Sequence, residues 1–418
     1  MVRNPVSIDR VGSAERIDHD IETLAGRDYT LSSTAIRRHA YTDVYANTLS
    51  YFRRQFQDLG FDVFEDPVGT LVARNRPAGE KVFGLGSHCD SNRNGGKYDG
   101  TMGVVTALEV CRLNRDLSLN LPLQVISFLE EEGSGFGQML LGSRIMARRV
   151  TEGELRQPIR ALGDDRSFWE HARAAGYHPE CWRDSIQVLQ DLVGWIEMHI
   201  EQGRVLQDTG NRIGLVHAIA GCIHADVTVR GRADHAGATP MDLRLDAGLV
   251  AAECMLELER LARAAGHGTV GTVGEMELQP GLVNVVPGVA RFSLDIRGVD
   301  QDAFTGVANG IDSFATDVAR RRGMTVEFRQ RQAVPATLMD QQILDAMEVA
   351  VQATGEPFMR MPSGAAHDTM CVADHVPAAM IFIPCKDGIS HSPLEEASSM
   401  DAALAAEVML GTIHLLLA

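Results

Sequence analysis

The chain has 418 residues, 45% hydrophobic and 23% charged, with a formal net charge of −17. That length exceeds what one core usually holds, so two domains are expected. The acidic balance has no basic block to interrupt it, which argues against nucleic acid or an anionic membrane surface as a partner.

An anionic substrate would therefore need a local arginine rather than the global field. Seven cysteines, from Cys89 to Cys385, are scattered without a CxxC pair, the usage of a reduced, cytoplasmic protein. The stretch Met1–Pro5 lacks the apolar core of a signal peptide, and no apolar run of about 18 residues stands out. No membrane partner is expected.

In chain order, residues 14–26 and 41–59 have helical periodicity. In the second, Val44, Tyr45, Leu49, Phe52, Phe56 and Leu59 recur at three- and four-residue steps, and Gly60 supplies a stop. Phe61–Phe64 and Thr70–Ala73 read as a strand pair across Asp66-Pro67-Val68-Gly69, and Val82–Leu85 as the next strand. A helix over 101–114 and an apolar strand, Leu123–Leu129, follow. Residues 138–190 mix helices and loops before a strand at Gly194–Ile200. Buried strands alternating with helices predict an α/β fold with a central, mostly parallel sheet flanked by helices.

Near residue 220 the texture changes. Ile223, Ala225, Val227 and Val229 alternate with His224, Asp226, Thr228 and Arg230, the period of a half-exposed strand. A helix over 246–265, strands at Thr269–Leu278 and Val289–Ile296, a helix over 301–321 and a strand at Met324–Gln330 complete the order β-α-β-β-α-β. That is a ferredoxin-like α+β unit inserted into the first domain. After it come a helix over 340–353, a strand at Ala379–Ile383 and a helix over 400–416. The expected organisation is a catalytic domain in two parts, 1–219 and 332–418, interrupted by an inserted domain at 220–331.

His88 ends the Val82 strand and Asp99 follows on a Gly- and Asn-rich loop. Glu130-Glu131-Glu132 ends the next strand, His199 lies near the end of another, and His391 follows the Ile381–Ile383 run. Functional groups in such sheets collect at carboxyl ends of strands. Two metal ions sharing one carboxylate would use His88, Asp99, Glu132, His199 and His391, leaving a neighbouring Glu to accept a proton from water. A solvated acidic turn and a plain surface histidine remain the alternatives on spacing alone.

Longer stretches carry a resemblance. Gly86–Asp90 with Tyr98-Asp99-Gly100, Glu130–Ser134, Met198–Gly203, Asp234–Met241, Gly281–Gly288, Asp295–Gly298, Pro362–Asp368 and Gly388–Pro393 occur in order along nearly the whole chain. Together they resemble the hydantoinase/carbamoylase branch of the M20 metallopeptidase-like amidohydrolases. The resemblance implies two divalent ions per chain, zinc first and manganese or cobalt as alternatives. His88 and His199 would hold one ion, Glu132 and His391 the other, and Asp99 both. Glu131 would be the general base acting on a metal-bridged hydroxide, with Asp90 orienting His88 from behind.

By the same resemblance the inserted domain is a lid and homodimer contact. His235 would stabilise charge on the scissile carbonyl, while Gln202, His224, Asn284, Arg297, Gly364 and Ala365 would hold a small substrate bearing a carboxylate. The implied reaction is hydrolysis of a linear C–N bond in an N-carbamoyl amino acid or ureido acid. An N-acyl-amino-acid amidohydrolase or dipeptidase on the same centre is the second reading, and a ligand-binding protein without catalysis the third. Three features depart from the resemblance: Gly135 where Arg is common, His224 where a larger residue is common, and Ser91–Asn94 in place of a Thr-Val run.

Overall fold

Apolar runs in the sequence become buried strands. In the computed structural model, which describes residues 8–418, Val82–His88, Leu123–Phe128 and Ala378–Ile383 are buried along their whole length. The Met1–Pro5 stretch lies outside the described residues. The chain divides into two compact units. One runs up to His217 and resumes over Met339–Met361 and Ala366–Ala418; the other is Ala218–Leu338 with Pro362–Ala365.

The first unit is built on a mixed sheet. From one edge its strands run Asp62–Glu65, Leu71–Arg74, Leu123–Phe128, Val82–His88, Leu192–Ile200, Ala378–Ile383 and Ile213–Ile219. The four middle strands from Leu123–Phe128 to Ala378–Ile383 are mutually parallel, and Phe358–Ser363 also pairs with Ile213–Ile219. Asp62–Glu65, Leu71–Arg74 and Ile213–Ile219 pair antiparallel at the margins. The mostly parallel sheet expected from the sequence is thus corrected to a mixed one. The hairpin at Asp66–Thr70 reverses the chain directly, so the strands beside it must be antiparallel.

The helix Thr101–Asp116 is buried almost throughout, Glu109 and Arg112 included, and packs against Val82–His88 and Leu192–Ile200. The helix Ser399–Leu416 is long and apolar enough to cross a membrane by length and composition, with mean hydropathy 1.3. Its window is 61% buried within the fold, and it packs on Arg10–Leu24, Thr101–Asp116 and Gln341–Thr354. That is the setting of a core helix.

In the second unit, the alternation read from Ile223 onward buries Ile223, Ala225, Val227 and Val229 on one face. They meet Ala290, Phe292, Leu294 and Ile296 and the inner faces of helices Ala247–Ala265 and Gln301–Arg321. The sheet order is Met276–Gln279, Val289–Gly298, Gly221–Arg230, Thr325–Val334, antiparallel throughout. The single strand expected at Thr269–Leu278 is two short ones, Val270–Thr272 and Met276–Gln279. The chain leaves the ladder around Gly274, where Ser293 binds Glu275 through both backbone and hydroxyl.

Candidate metal centre

The parallel strands of the first unit deliver histidines side by side. His88 is the last residue of Val82–His88, and His199 is next to last in Leu192–Ile200, its neighbour in the sheet. The Leu123–Phe128 strand leads into Glu130–Glu132, and the Ala378–Ile383 strand into the loop that carries His391. Asp99 sits just ahead of the Thr101–Asp116 helix. Gly100 between them has φ of 60°, and a Cβ there would overlap the His88 ring. Glycine is required at that position for both reasons.

Two sets of ligand-type atoms result, His88–Asp99–His199 and Asp99–Glu132–His391, each set lying within 4.8 Å of one another. Asp99 Oδ1 is 3.2 Å from His199 Nε2 and 3.7 Å from His88 Nε2. Its other oxygen is 3.3 Å from His391 Nε2, which lies 3.4 Å from Glu132 Oε2. One carboxylate therefore belongs to both sets. Glu131 Oε2 stands 3.7 Å from His88 Nε2.

The ring nitrogens that face away from the cluster have partners. His88 Nδ1 lies 3.1 Å from the Asp90 carbonyl, and His199 Nδ1 2.9 Å from the Ile200 carbonyl. A carbonyl only accepts, so each Nδ1 carries the hydrogen and each Nε2 lone pair faces inward in the neutral ring.

Burial of so many acids has an electrostatic cost. Burial lifts the Glu131 carboxyl well above the usual range against the pull of His88, with Asp368 and Glu132 adding to the rise. Burial and the Asp99 charge push Glu132 up to about 7; burial and Asp90 push Glu130 up to about 8. Asp99 goes the other way. Burial opposes its charge, yet the hydrogen bonds from His199 and His391 hold it well below the usual range. The Asp99 hydrogen bond in turn carries His391 up to about 9.

The contacts add detail at two residues with expected roles. The Asp90 carboxylate accepts the backbone N–H groups of Glu131 and Glu132, both at 3.1 Å, and approaches His88 Nδ1 only to 3.5 Å. Asp90 fixes His88 through its carbonyl, and its side chain fixes the glutamates. Gln202, expected to face a substrate, donates its amide to Asp99 Oδ2 at 2.8 Å. Its backbone φ of 58° turns the side chain back toward that carboxylate.

Other participants escaped the sequence reading. Glu395 accepts the N–H groups of Tyr98 and Asp99, both at 2.9 Å, and the Ser390 hydroxyl at 3.1 Å. The single Ser390 hydrogen is shared between that carboxylate and Asp99 Oδ2, 2.8 Å away. The His367 ring lies edge-on to His199, with centroids 4.6 Å apart. Their proximity in sequence to His391 and to the Pro362–Asp368 stretch was the only signal available. Glu130, first of the acidic triplet, receives the N–H of Phe136 at 2.8 Å and that of Gly135. It shapes the turn that follows.

The remaining expected residues lie in the second unit. His235 pairs with Val285, and its Nδ1 accepts the N–H groups of Gly237 and Ala238, both at 3.1 Å. Its hydrogen is thereby left on Nε2, which is free to donate. Asn284 is exposed on the adjoining turn, where its carbonyl accepts from Ala236. His224, Asp295 and Arg297 share one face of the sheet. Arg297 grips Asp295 with two hydrogen bonds of 2.9 and 3.0 Å and donates a third to the Gly364 carbonyl at 2.9 Å. His224 Nε2 is 3.4 Å from the same Asp295. Ala365 is tied to the Ser363 hydroxyl.

The residues of the first unit fit divalent ions. Three imidazole nitrogens and two carboxylates converge, a donor set suited to zinc, manganese or cobalt. Glu132 Oε1 is buried without a hydrogen-bond partner. The crowding that raises Glu131 and Glu132 is what a bound cation would relieve. Comparison with known proteins gives the chain's family. Residues 84–414 match the model of Peptidase family M20/M25/M40. An N-carbamoyl-L-amino acid amidohydrolase of Geobacillus stearothermophilus is 36% identical, over 92% of each chain. A ureidoglycolate hydrolase of Oryza sativa subsp. japonica is 35% identical, over 97% of this chain and 84% of that one. The crystal structure of a hydantoinase/carbamoylase family amidase from Burkholderia ambifaria superposes with a TM-score of 0.87 at 29% identity, covering 98% of both chains. With its strand-end histidines, shared aspartate and these relatives, the chain belongs to the M20 peptidase family, among the hydantoinase/carbamoylase amidases.

Proposed function

We propose that the protein is a metal-dependent amidohydrolase that cleaves the linear C–N bond of an N-carbamoyl amino acid or a related ureido acid. The observation that carries this is the pair of ligand sets meeting at Asp99, with Glu131 beside them. His88, His199 and Asp99 would hold one divalent ion, zinc by preference, and Asp99, Glu132 and His391 a second. Ions held there supply Lewis acidity, lowering the pKa of water and polarising the scissile carbonyl.

The residues of the chain do the rest. Glu131 takes the proton of the attacking water and returns it to the departing nitrogen. Asp90 holds Glu131 and Glu132 in register through their N–H groups. In the inserted unit, His235 donates Nε2–H to the carbonyl oxygen as charge collects there. Arg297 and Asn284, with His224, Gly364 and Ala365 around them, receive the substrate carboxylate. Gln202 acts through Asp99 rather than on substrate. The inserted unit serves as lid and as the contact of a homodimer.

The test is a panel of N-carbamoyl, N-formyl and N-acyl amino acids with ureidoglycolate and allantoate, assayed with zinc, manganese and cobalt. Release of ammonia that chelation abolishes and metal restores is the expected result. Activity that survives exhaustive chelation overturns the metal reading. Release of a carboxylic acid, with no ammonia from any ureido compound, moves the protein to the N-acyl-amino-acid class.

A further inference from the structure

The three imidazoles of the centre are not fixed alike. His88 and His199 are buried, and each turns Nδ1 to a backbone carbonyl. His391 has a side chain 48% exposed, and among the described residues no carbonyl meets its Nδ1. What meets it is the side-chain amide of Asn92, at 3.2 Å. The same amide lies 3.5 Å from Glu132 Oε2. Asn92 thus touches two of the three groups of the Asp99–Glu132–His391 set while standing outside it.

The chemistry of the ring decides which end of the amide must face it. His391 Nε2 points at Asp99 and Glu132, so Nε2 is the atom that would bind an ion. In the neutral ring the hydrogen then resides on Nδ1, which becomes a donor. Asn92 must answer with Oδ1. Nδ2 is the nearer atom in the structure, and a half-turn of the amide exchanges the two ends at almost unchanged positions. The long contact to Glu132 is all that the turn gives up.

We infer that Asn92 is a positioning residue for the second ion: its Oδ1 accepts the Nδ1 hydrogen of His391 and so aims the Nε2 lone pair into the Asp99–Glu132–His391 set. The inference rests on the metal reading above and extends it to a residue outside the ligand set. A ligand imidazole depends on such an acceptor for both its orientation and its basicity. At the other set that acceptor is backbone and cannot be mutated away. Here it is one side chain on the loop between His88 and Asp99. The two ions should consequently bind unequally, and Asn92 should control only the weaker.

The experiment titrates zinc, and separately cobalt, into chelator-stripped protein by calorimetry, comparing wild type, Asn92→Leu, Asn92→Ala, Asn92→Asp and His391→Ala. Asn92→Leu keeps much of the volume and removes the acceptor. It should weaken the second ion by about 10- to 100-fold and leave the first unchanged. Asn92→Ala should do the same, and it keeps the question answerable where leucine disturbs the loop. Asn92→Asp retains an acceptor and should hold the second ion at least as tightly as wild type. If both Asn92→Leu and Asn92→Ala bind two ions with wild-type affinity while His391→Ala binds one, the inference is overturned and the metal reading stands. If wild type takes up no divalent ion, or His391→Ala still takes up two, the metal reading itself fails.

Discussion

The two units hold their chemistry-bearing residues in opposite ways. In the first, His88, Asp99 and His199 are buried, and each has its lone pairs or hydrogens assigned by neighbours. In the second, His235 and Asn284 stand exposed on a two-residue strand and the turn beside its partner. Arg297 is half-buried and already occupied by Asp295. Groups that bind ions or move protons need fixed geometry before substrate arrives. Groups that recognise a substrate can complete their hydrogen bonds on its arrival. The contrast predicts that lesions in the first unit strike turnover and that lesions in the second strike recognition, except at His235, whose hydrogen bond goes to the reacting carbonyl itself.

The strongest way to break this contrast is Glu131→Gln. It should keep the divalent ions, measured by elemental analysis, and lose turnover by about 100- to 10,000-fold. Near wild-type kcat would remove the base assignment. Next comes His235→Ala, where loss of one oxyanion donor should cost about 100- to 1,000-fold in kcat with unaltered metal content. A variant that instead loses metal would place His235 in the wrong category. Arg297→Ala should raise KM for a carboxylate substrate by about 10- to 100-fold while kcat changes less, since hydrogen bonds to a charged group are worth about 1.5–3 kcal/mol. The mildest probe is Asp295→Asn. Removing the acid frees the guanidinium for substrate and should lower KM, by about fivefold at most for a half-exposed pair. A rise in KM would mean that Asp295 orients Arg297 more than it competes for it.

Much of this architecture was legible from residues alone. The apolar runs that end in His88, Glu130 and His199 announced strand ends, and those strands are buried as their composition demands. The alternation from Ile223 to Val229 marked its inward face without error. What could not be read was pairing. Apolar periodicity is the same in parallel and antiparallel strands, so beyond the hairpin at Asp66–Gly69 the direction of pairing was not legible and the sheet was read as mostly parallel. The strands Ile213–Ile219 and Phe358–Ser363 carried no motif and passed unread. Within the centre, identity was legible and partnership was not. Gln202 and Asp99 lie 103 residues apart, and Asn92 and His391 lie 299 apart. Nothing in either neighbourhood declares the other.

The hold of Glu395 on the N–H groups of Tyr98 and Asp99 bears on how the protein is made. The loop that carries Asp99 emerges from the ribosome nearly three hundred residues before the carboxylate that clasps it, with the inserted unit synthesised in between. A nascent chain that has reached Leu338 already owns His88, Asp99, Glu132 and His199, but neither His391 nor Glu395. It can assemble one ligand set and two of the three members of the other. Domains form as units during synthesis, amino-terminal parts first, yet this centre closes only when the last strand and its loop return to the sheet. On the proposed metal reading, both ligand sets are complete only in the finished chain.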